Sequence, residues 1–239
     1  MKIYLDNCVI VDIEKGKYSL SDFKKEGYEY YYSSTHFDEL RRGLANNPNL
    51  KGTRLNTIGQ LCGTNYIAPD APGFIMCAEQ KEPVEVFKQL EMLGSLIKKC
   101  ERIADSFHPD RDGILQELSM KRIEVGNIKE ERIFEVVDEK MRNSVDRFGI
   151  DEYLEMSEAY TGRATFITLF NLLDAACYWK DDKSLNRIYD ASHAYFAQCC
   201  DILVTNDKRL SIKAKAVYHY LNIKTKVFSG ETFLKDSGR

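Results

Sequence analysis

Four acidic residues from the two ends of this 239-residue chain have the setting that metal-assisted hydrolysis requires: Asp6, Glu39, Asp190 and Asp207. Asp6 closes the short apolar run Ile3-Tyr4-Leu5, and Asp207 stands just beyond a second run, Ile202-Leu203-Val204. In an open parallel sheet ligands bind outside the carboxyl ends of the strands, near the point where strand order reverses. The two acids therefore project into one crevice if their strands are neighbours. Glu39 falls in the second turn of a helix that follows another strand, and Asp190 near the start of the helix leading to Ile202. Carboxylates around one crevice repel each other and raise one another's pKa unless a cation sits among them. Oxygen-only ligation suits Mg²⁺ or Mn²⁺ rather than zinc, and such ions activate water and polarise a phosphodiester. Each acid alone has an ordinary reading: Asp6 and Asp207 as helix caps or turn formers, Glu39 as a solvated helix residue, Asp190 as a charge favoured by a helix N-terminus. The case lies in the set.

The elements that must position these acids are strands alternating with helices. Ile3–Leu5 reads as a strand, turning at Asp6-Asn7 into a helix from Cys8 to Glu14 that stops before Gly16. Tyr28 to Tyr32 is a second β-prone run. Ser33, Ser34 and Thr35 are good N-cap residues for a helix running to about Ala45, which Asn46-Asn47-Pro48-Asn49 breaks. Tyr66 to Ala68 is a third strand, ending at Pro69 and leading into a Pro/Gly-punctuated segment to Pro83. From there to about Lys180 the pattern is helical. Val86, Leu90, Leu93 and Ile97 keep a 3–4 spacing, and Ile114, Leu118, Ile123, Ile128, Ile133 and Val137 suggest further amphipathic helices. Phe166 to Trp179 is apolar on nearly every face and reads as a buried helix. Ala191, Ala194 and Ala197 let their helix lie close against a sheet, and Ile202–Val204 is apolar throughout, as a parallel central strand should be. A helix from Lys208 to Tyr220 and a strand at Val227-Phe228 complete an α/β fold with a mainly parallel sheet. We read 1–239 as one domain with 81–180 as a mostly helical insertion.

Composition sets wide limits. With 44% hydrophobic and 30% charged residues, 14 Gly and 5 Pro, the chain is globular rather than disordered or fibrous. No run approaches the ~20 apolar residues of a membrane helix, and Asp6 leaves no room for the apolar core of a signal peptide, so a cytoplasmic protein is expected. Seven cysteines without a Cys-x-x-Cys pair read as reduced, mostly buried thiols. The net charge of −3 is unevenly spread: residues 81–160 hold 13 Lys and Arg against 19 Asp and Glu, residues 201–239 hold 8 against 4. The basic tail, with Lys208, Arg209, Lys213, Lys215, Lys224 and Lys226, either faces phosphate or is solvated helix and strand surface.

Ile3-Tyr-Leu-Asp6-Asn-Cys-Val-Ile at one end and Asp190-Ala-Ser-His-Ala-Tyr-Phe-Ala-Gln-Cys-Cys-Asp-Ile-Leu-Val-Thr-Asn-Asp207-Lys-Arg-Leu at the other resemble the two ends of a PIN domain. Thr35-His-Phe-Asp-Glu39-Leu stands in the place of its second motif. These blocks cover roughly the first 45 and last 55 residues; the helical tract between is longer than in compact PIN domains. The resemblance implies a PIN-like three-layer α/β/α sandwich and a Mg²⁺- or Mn²⁺-dependent ribonuclease that uses metal-activated water. It implies that Asp6, Glu39 and Asp190 hold the metal directly, that Asp207 assists, and that Thr205 and Asn7 act behind the carboxylates. Asn7 replaces the family's usual hydroxyl residue and Cys8 a common Asn, which leaves the acids intact and puts their fine positioning in question. RNA is the implied substrate. A toxin role with an antitoxin partner, and a homodimer, are associations the resemblance allows.

Other residues compete for attention. Asp201 begins its strand and belongs at the opposite sheet edge. Asp174, on an apolar helix, needs a partner, for which Arg163 or Lys180 is the bland candidate and the crevice the sharper one. Tyr28, Tyr30, Tyr31 and Tyr32 could stack bases, although packing explains them more simply. His36, His108, His193 and His219 lack metal-ligand spacing, and no Gly-x-Ser-x-Gly elbow is present. Two further readings stay open: a PIN-like RNA- or protein-binding module without turnover, and an aspartate-nucleophile phosphatase, which would want a second Asp where Cys8 stands.

Overall fold

The computed structural model describes residues 1–68, 77–92, 116, 119–143, 149–156, 162–180 and 184–236. The chain divides into two compact units, the first formed by residues 1–100, 196–211 and 225–239, the second by 101–195 and 212–224.

The first unit holds a six-stranded sheet. Its strands are β1 (Lys2–Leu5), β2 (Glu29–Ser33), β3 (Asn65–Ala68), β4 (Cys77–Gln80), β5 (Ile202–Val204) and β6 (Lys226–Phe228), in the order β4-β3-β2-β1-β5-β6. All neighbours are parallel except β3 and β4. The chain winds outward from β1 through β2 and β3 on one side and through β5 and β6 on the other. Strand order therefore reverses at β1, with Tyr4 lying between Tyr31 and Leu203. The three neighbours β2, β1 and β5 are apolar on both faces because both faces are buried: Ile3, Leu5, Tyr30, Tyr32, Ile202 and Val204 join the core cluster of one face, and Tyr4, Tyr31 and Leu203 are buried on the other.

Helices α1 (Asn7–Glu14), α2 (Leu20–Phe23), α3 (Ser34–Leu44), α4 (Leu50–Cys62) and α5 (Pro83–Met92) connect or follow the first four strands. Val9, Ile10, Phe37, Leu40, Ile58 and Phe87 give them an apolar side that packs into the same cluster. Gly16, at φ +75°, takes the left-handed position behind α1 that a side chain resists. The expected strands 3–5, 66–68 and 202–204 are present. Several elements differ from the sequence reading: α2 and α4 occupy stretches given no element, as does the helix Gly230–Asp236, β4 is an antiparallel edge strand in the Pro/Gly-punctuated segment, and β2 runs one residue later than Tyr28–Tyr32.

In the second unit lie α6 (Arg122–Gly126), α7 (Ile133–Arg142), α8 (Ile150–Met156) and α9 (Gly162–Ala175). The division of the chain falls within α10 (Ser184–Ala197) and α11 (Lys208–Tyr220); α12 (Gly230–Asp236) returns to the first unit. Phe166, Leu169, Phe170 and Leu173 are all buried along α9. The helix expected from Phe166 to Trp179 ends at Ala175, because Cys177 (φ 58°) and Trp179 (φ 49°) turn the chain through left-handed conformations. The positions Leu93, Ile97, Ile114 and Leu118 lie outside the described residues. Among the described residues no helix is long and apolar enough to cross a membrane.

Candidate functional site

The carboxyl ends of β1 and β5 meet side by side. The Asp6 amide donates to the Val204 carbonyl at 2.9 Å and the Thr205 amide to Phe228 at 2.9 Å, so the ladders run one residue past each strand. This places Asp6 and Thr205 together. Asp6, 5% exposed, has extended backbone (φ −66°, ψ 156°) and caps α1, its Oδ1 accepting the Asn7 amide at 2.6 Å. Its Oδ2 accepts the Thr205 hydroxyl at 2.8 Å and the Cys8 thiol at 2.8 Å. Burial, followed by the charge of Asp6 and the bond to it, pushes the Cys8 thiol well up. The thiol is thereby a donor to the carboxylate.

Glu39 is reached from the other side of Asp6. Asn7 is buried, and its Nδ2 donates to Glu39 Oε2 at 2.6 Å and, more weakly, to the His36 carbonyl at 3.4 Å. Asn7 Oδ1 accepts from Arg54 Nη1 at 2.6 Å, and Arg54 grips Glu14 with Nε at 2.7 Å and Nη2 at 3.0 Å. His36 fixes the helix that carries Glu39. Its Nδ1 accepts the Ser33 amide at 3.1 Å, which puts the proton on Nε2 for the bond to the Leu5 carbonyl at 2.8 Å. Thus α3 is tied to the last residue of β1. The Tyr4 phenol, kept up chiefly by burial, bonds Ser33 Oγ at 2.7 Å on the neighbouring strand.

Asp207 joins through Thr205, whose Oγ1 accepts the Asp207 amide at 3.0 Å while it donates to Asp6. The exposed Asp207 carboxylate caps α11, Oδ1 taking the amides of Arg209 at 2.7 Å and Leu210 at 3.1 Å. Between them, Asn206 anchors the loop: its amide nitrogen donates to Asp12 at 2.7 Å and Tyr18 at 3.2 Å, and its oxygen takes the Gly230 amide at 2.9 Å. Asp190 is half-buried on α10, in the second unit. Because that helix starts at Ser184, Asp190 lies in its middle, which removes the reading of a charge near the helix N-terminus. Among the described residues no group of three or more His, Cys, Asp or Glu side chains is gathered to hold a metal ion. Asp6 is instead linked to Glu39 and to Asp207 by one intervening polar residue each, Asn7 and Thr205.

The other residues singled out from the sequence fall outside this edge. Asp201 accepts the Lys2 amide at 2.7 Å at the start of β1, the opposite end of the strands. Asp174 is fully buried against Arg187 at 2.7 Å and Lys213 at 3.7 Å, cations other than the Arg163 and Lys180 suggested by sequence proximity; Arg163 donates to Ser192 at 2.9 Å. Tyr30 and Tyr32 pack in the core, and Tyr31 is buried, so the tyrosine run is packing. Cys8, Cys62, Cys177, Cys199 and Cys200 are free thiols. Sequence reasoning missed Arg54, Glu14, His36 and Asn206. Asn206 could have been found, since it sits between two residues already chosen; Arg54 carries no such signal. No protein-family model, curated protein or solved structure matches this chain.

Proposed function

We propose that this protein is a divalent-metal-dependent ribonuclease of the PIN type, with Asp6 and Glu39 at the heart of its site. The observation that carries the reading is the pair of polar links at the switch point of the sheet: Asn7 ties the Asp6 strand end to Glu39, and Thr205 ties Asp6 to the Asp207 loop. Residues that aim carboxylates are what a ligand-binding edge needs and a helix cap does not. The donor set fits a hard cation, because the acids offer oxygen. Mg²⁺ or Mn²⁺ held by Asp6, Glu39 and, from the sequence resemblance, Asp190 with Asp207 assisting, would supply an activated water and polarise the scissile phosphodiester. The chain's own residues set direction. Thr205 and Cys8 hold Asp6 Oδ2, Asn7 holds Glu39 Oε2, and His36 fixes α3 to β1. Lys208 and Arg209, in the first turn after Asp207, are cations suited to a phosphate backbone.

Labelled RNA incubated with Mn²⁺, with Mg²⁺ and with chelator should be cut only when metal is present, and Asp6→Asn and Asp190→Asn should each abolish cutting. Cleavage undiminished in both variants would sink the site. One observation favours a binding module without turnover: two side-chain donors of the protein itself already occupy Asp6 Oδ2. RNA retained on a gel, uncut, with no heat of Mn²⁺ binding, would decide for that reading.

A further inference from the structure

Four polar side chains form one line in the first unit, Arg54 and Asn7 buried in its middle and Glu14 and Glu39 half-buried at its ends. Arg54 is 5% exposed and Asn7 4%. Each of the guanidinium's three nitrogens has an acceptor: Nε and Nη2 meet the two oxygens of Glu14, and Nη1 meets Asn7 Oδ1 at 2.6 Å. A fork with five donors in one plane can make this bidentate grip and still present a third N–H sideways. With its oxygen facing a cation, the Asn7 amide has one orientation, and its nitrogen faces Glu39 Oε2 at 2.6 Å. Each group also strengthens the next. The guanidinium polarises the amide oxygen, and the amide N–H becomes a better donor to the carboxylate.

We infer that Arg54 is a positioning residue for Glu39, acting through Asn7, with Glu14 holding the guanidinium in place. The inference rests on the metal-site reading of Glu39 for its consequence, and on the hydrogen-bond line alone for its geometry. Two facts separate it from a purely structural ion pair. The Glu14–Arg54 pair is already complete with two bonds, so the third, to Asn7, adds nothing to the pair. Moreover α4 brings Arg54 to α1 and α3 at once, because α4 packs on both helices. Removing the fork while keeping the charge takes away the bond that sets which way the Asn7 amide faces, and with it the aim of its donation to Glu39 Oε2.

Arg54→Lys keeps a cation opposite Glu14 but cannot grip it bidentately and reach Asn7 together. On the full chain, with folding checked by circular dichroism and thermal melting, Arg54→Lys should weaken Mn²⁺ binding by calorimetry roughly 10- to 100-fold. Asn7→Ala should do the same, and the double variant should be no weaker than Asn7→Ala alone. Wild-type Mn²⁺ affinity in Arg54→Lys, or additive losses in the double variant, would overturn the inference. If the wild-type protein takes up no Mn²⁺, or Asp6→Asn takes it up equally, the metal-site reading falls. The positioning role is then decided by nuclear magnetic resonance of the Asn7 side-chain amide. Its protons should move upfield towards the ordinary amide range in Arg54→Lys; resonances that stay in place would end it.

Discussion

Asp6 and Asp174 are both carboxylates cut off from water, yet the two units hold them differently. Asp6 is met by a hydroxyl and a thiol at 2.8 Å and by a backbone amide at 2.6 Å. Asp174, with no exposed surface, is met by the Arg187 guanidinium at 2.7 Å and the Lys213 ammonium at 3.7 Å. Cations cancel a buried charge, and the cluster they form with it serves packing. The donors that meet Asp6 here are neutral and directional, and they fix the orientation of its two oxygens. The sequence drew attention to Asp174 because it was a charge on an apolar helix. Its surroundings show that an oddly placed acid is explained as soon as cations reach it from other helices.

Breaking each arrangement should have opposite signatures. Asp174→Asn leaves two cations buried against a neutral amide, and should cost about 3–5 kcal/mol in urea unfolding. Replacing all three by apolar residues, Asp174→Leu with Arg187→Met and Lys213→Met, should restore most of that stability. If Asp174→Asn costs under ~1 kcal/mol, the contrast between the two acids is wrong. Asp6→Asn should change stability by only ~1 kcal/mol, because the amide oxygen can keep the Asn7 N–H while its NH2 turns to the Thr205 hydroxyl and the Cys8 sulfur as acceptors. On the proposed ribonuclease reading, cleavage of RNA with Mn²⁺ should fall by more than about a hundredfold in the same variant, since changes behind a ligand alone cost ~10–100-fold.

What could be read from the sequence follows from how local each signal is. The strand ends at Asp6 and Val204 were legible because parallel central strands are short apolar runs; that the two strands are neighbours was only a condition of the sequence reading, since alternation does not fix strand order, and their pairing meets it. Thr205 and Asn7 were legible only as neighbours of the acids. Helix α4 was not legible: Gly52, Thr53, Thr57 and Gly59 lower its helix propensity, and tertiary packing of Ile58, Leu61 and Cys62 holds it instead. With α4 unseen, Arg54 had no address. Strand β4 was hidden for a similar reason, since Cys77-Ala-Glu-Gln80 has little β-propensity and owes its form to pairing with β3. The partners of Asp174 lie on other helices, and nothing in its own segment points to them.

A finer test acts on the donors rather than the acids. Thr205→Val removes the hydroxyl that links Asp6 to the Asp207 amide, whereas Thr205→Ser keeps it. Mn²⁺ affinity should fall ~10–100-fold in the first and stay within about twofold in the second. Equal affinities in both would mean that Thr205 only ends its strand, and that Asp6 is aimed by Cys8 and the Asn7 amide.

The smallest effect concerns a third way of burying a titratable group, which is to keep it uncharged. Tyr66 on β3 is 5% exposed, and burial pushes its phenol up from 10.0 to about 12 against the lowering effect of its bond with Ser34. A folded pKa above the unfolded one means that the phenol's contribution is complete below pH 10 and is lost as pH rises through about 12. At pH 11 the loss from this one group is about 1 kcal/mol. Tyr66→Phe gives up the Ser34 bond, ~1 kcal/mol at neutral pH, but has no phenol to ionise. Urea unfolding should therefore show the variant less stable than wild type at pH 7 and level with it at pH 11. A gap that stays constant across that range would mean that the Tyr66 phenolate is accommodated in the fold, and that burial on the sheet does not bar charge from the strands next to the Asp6 edge.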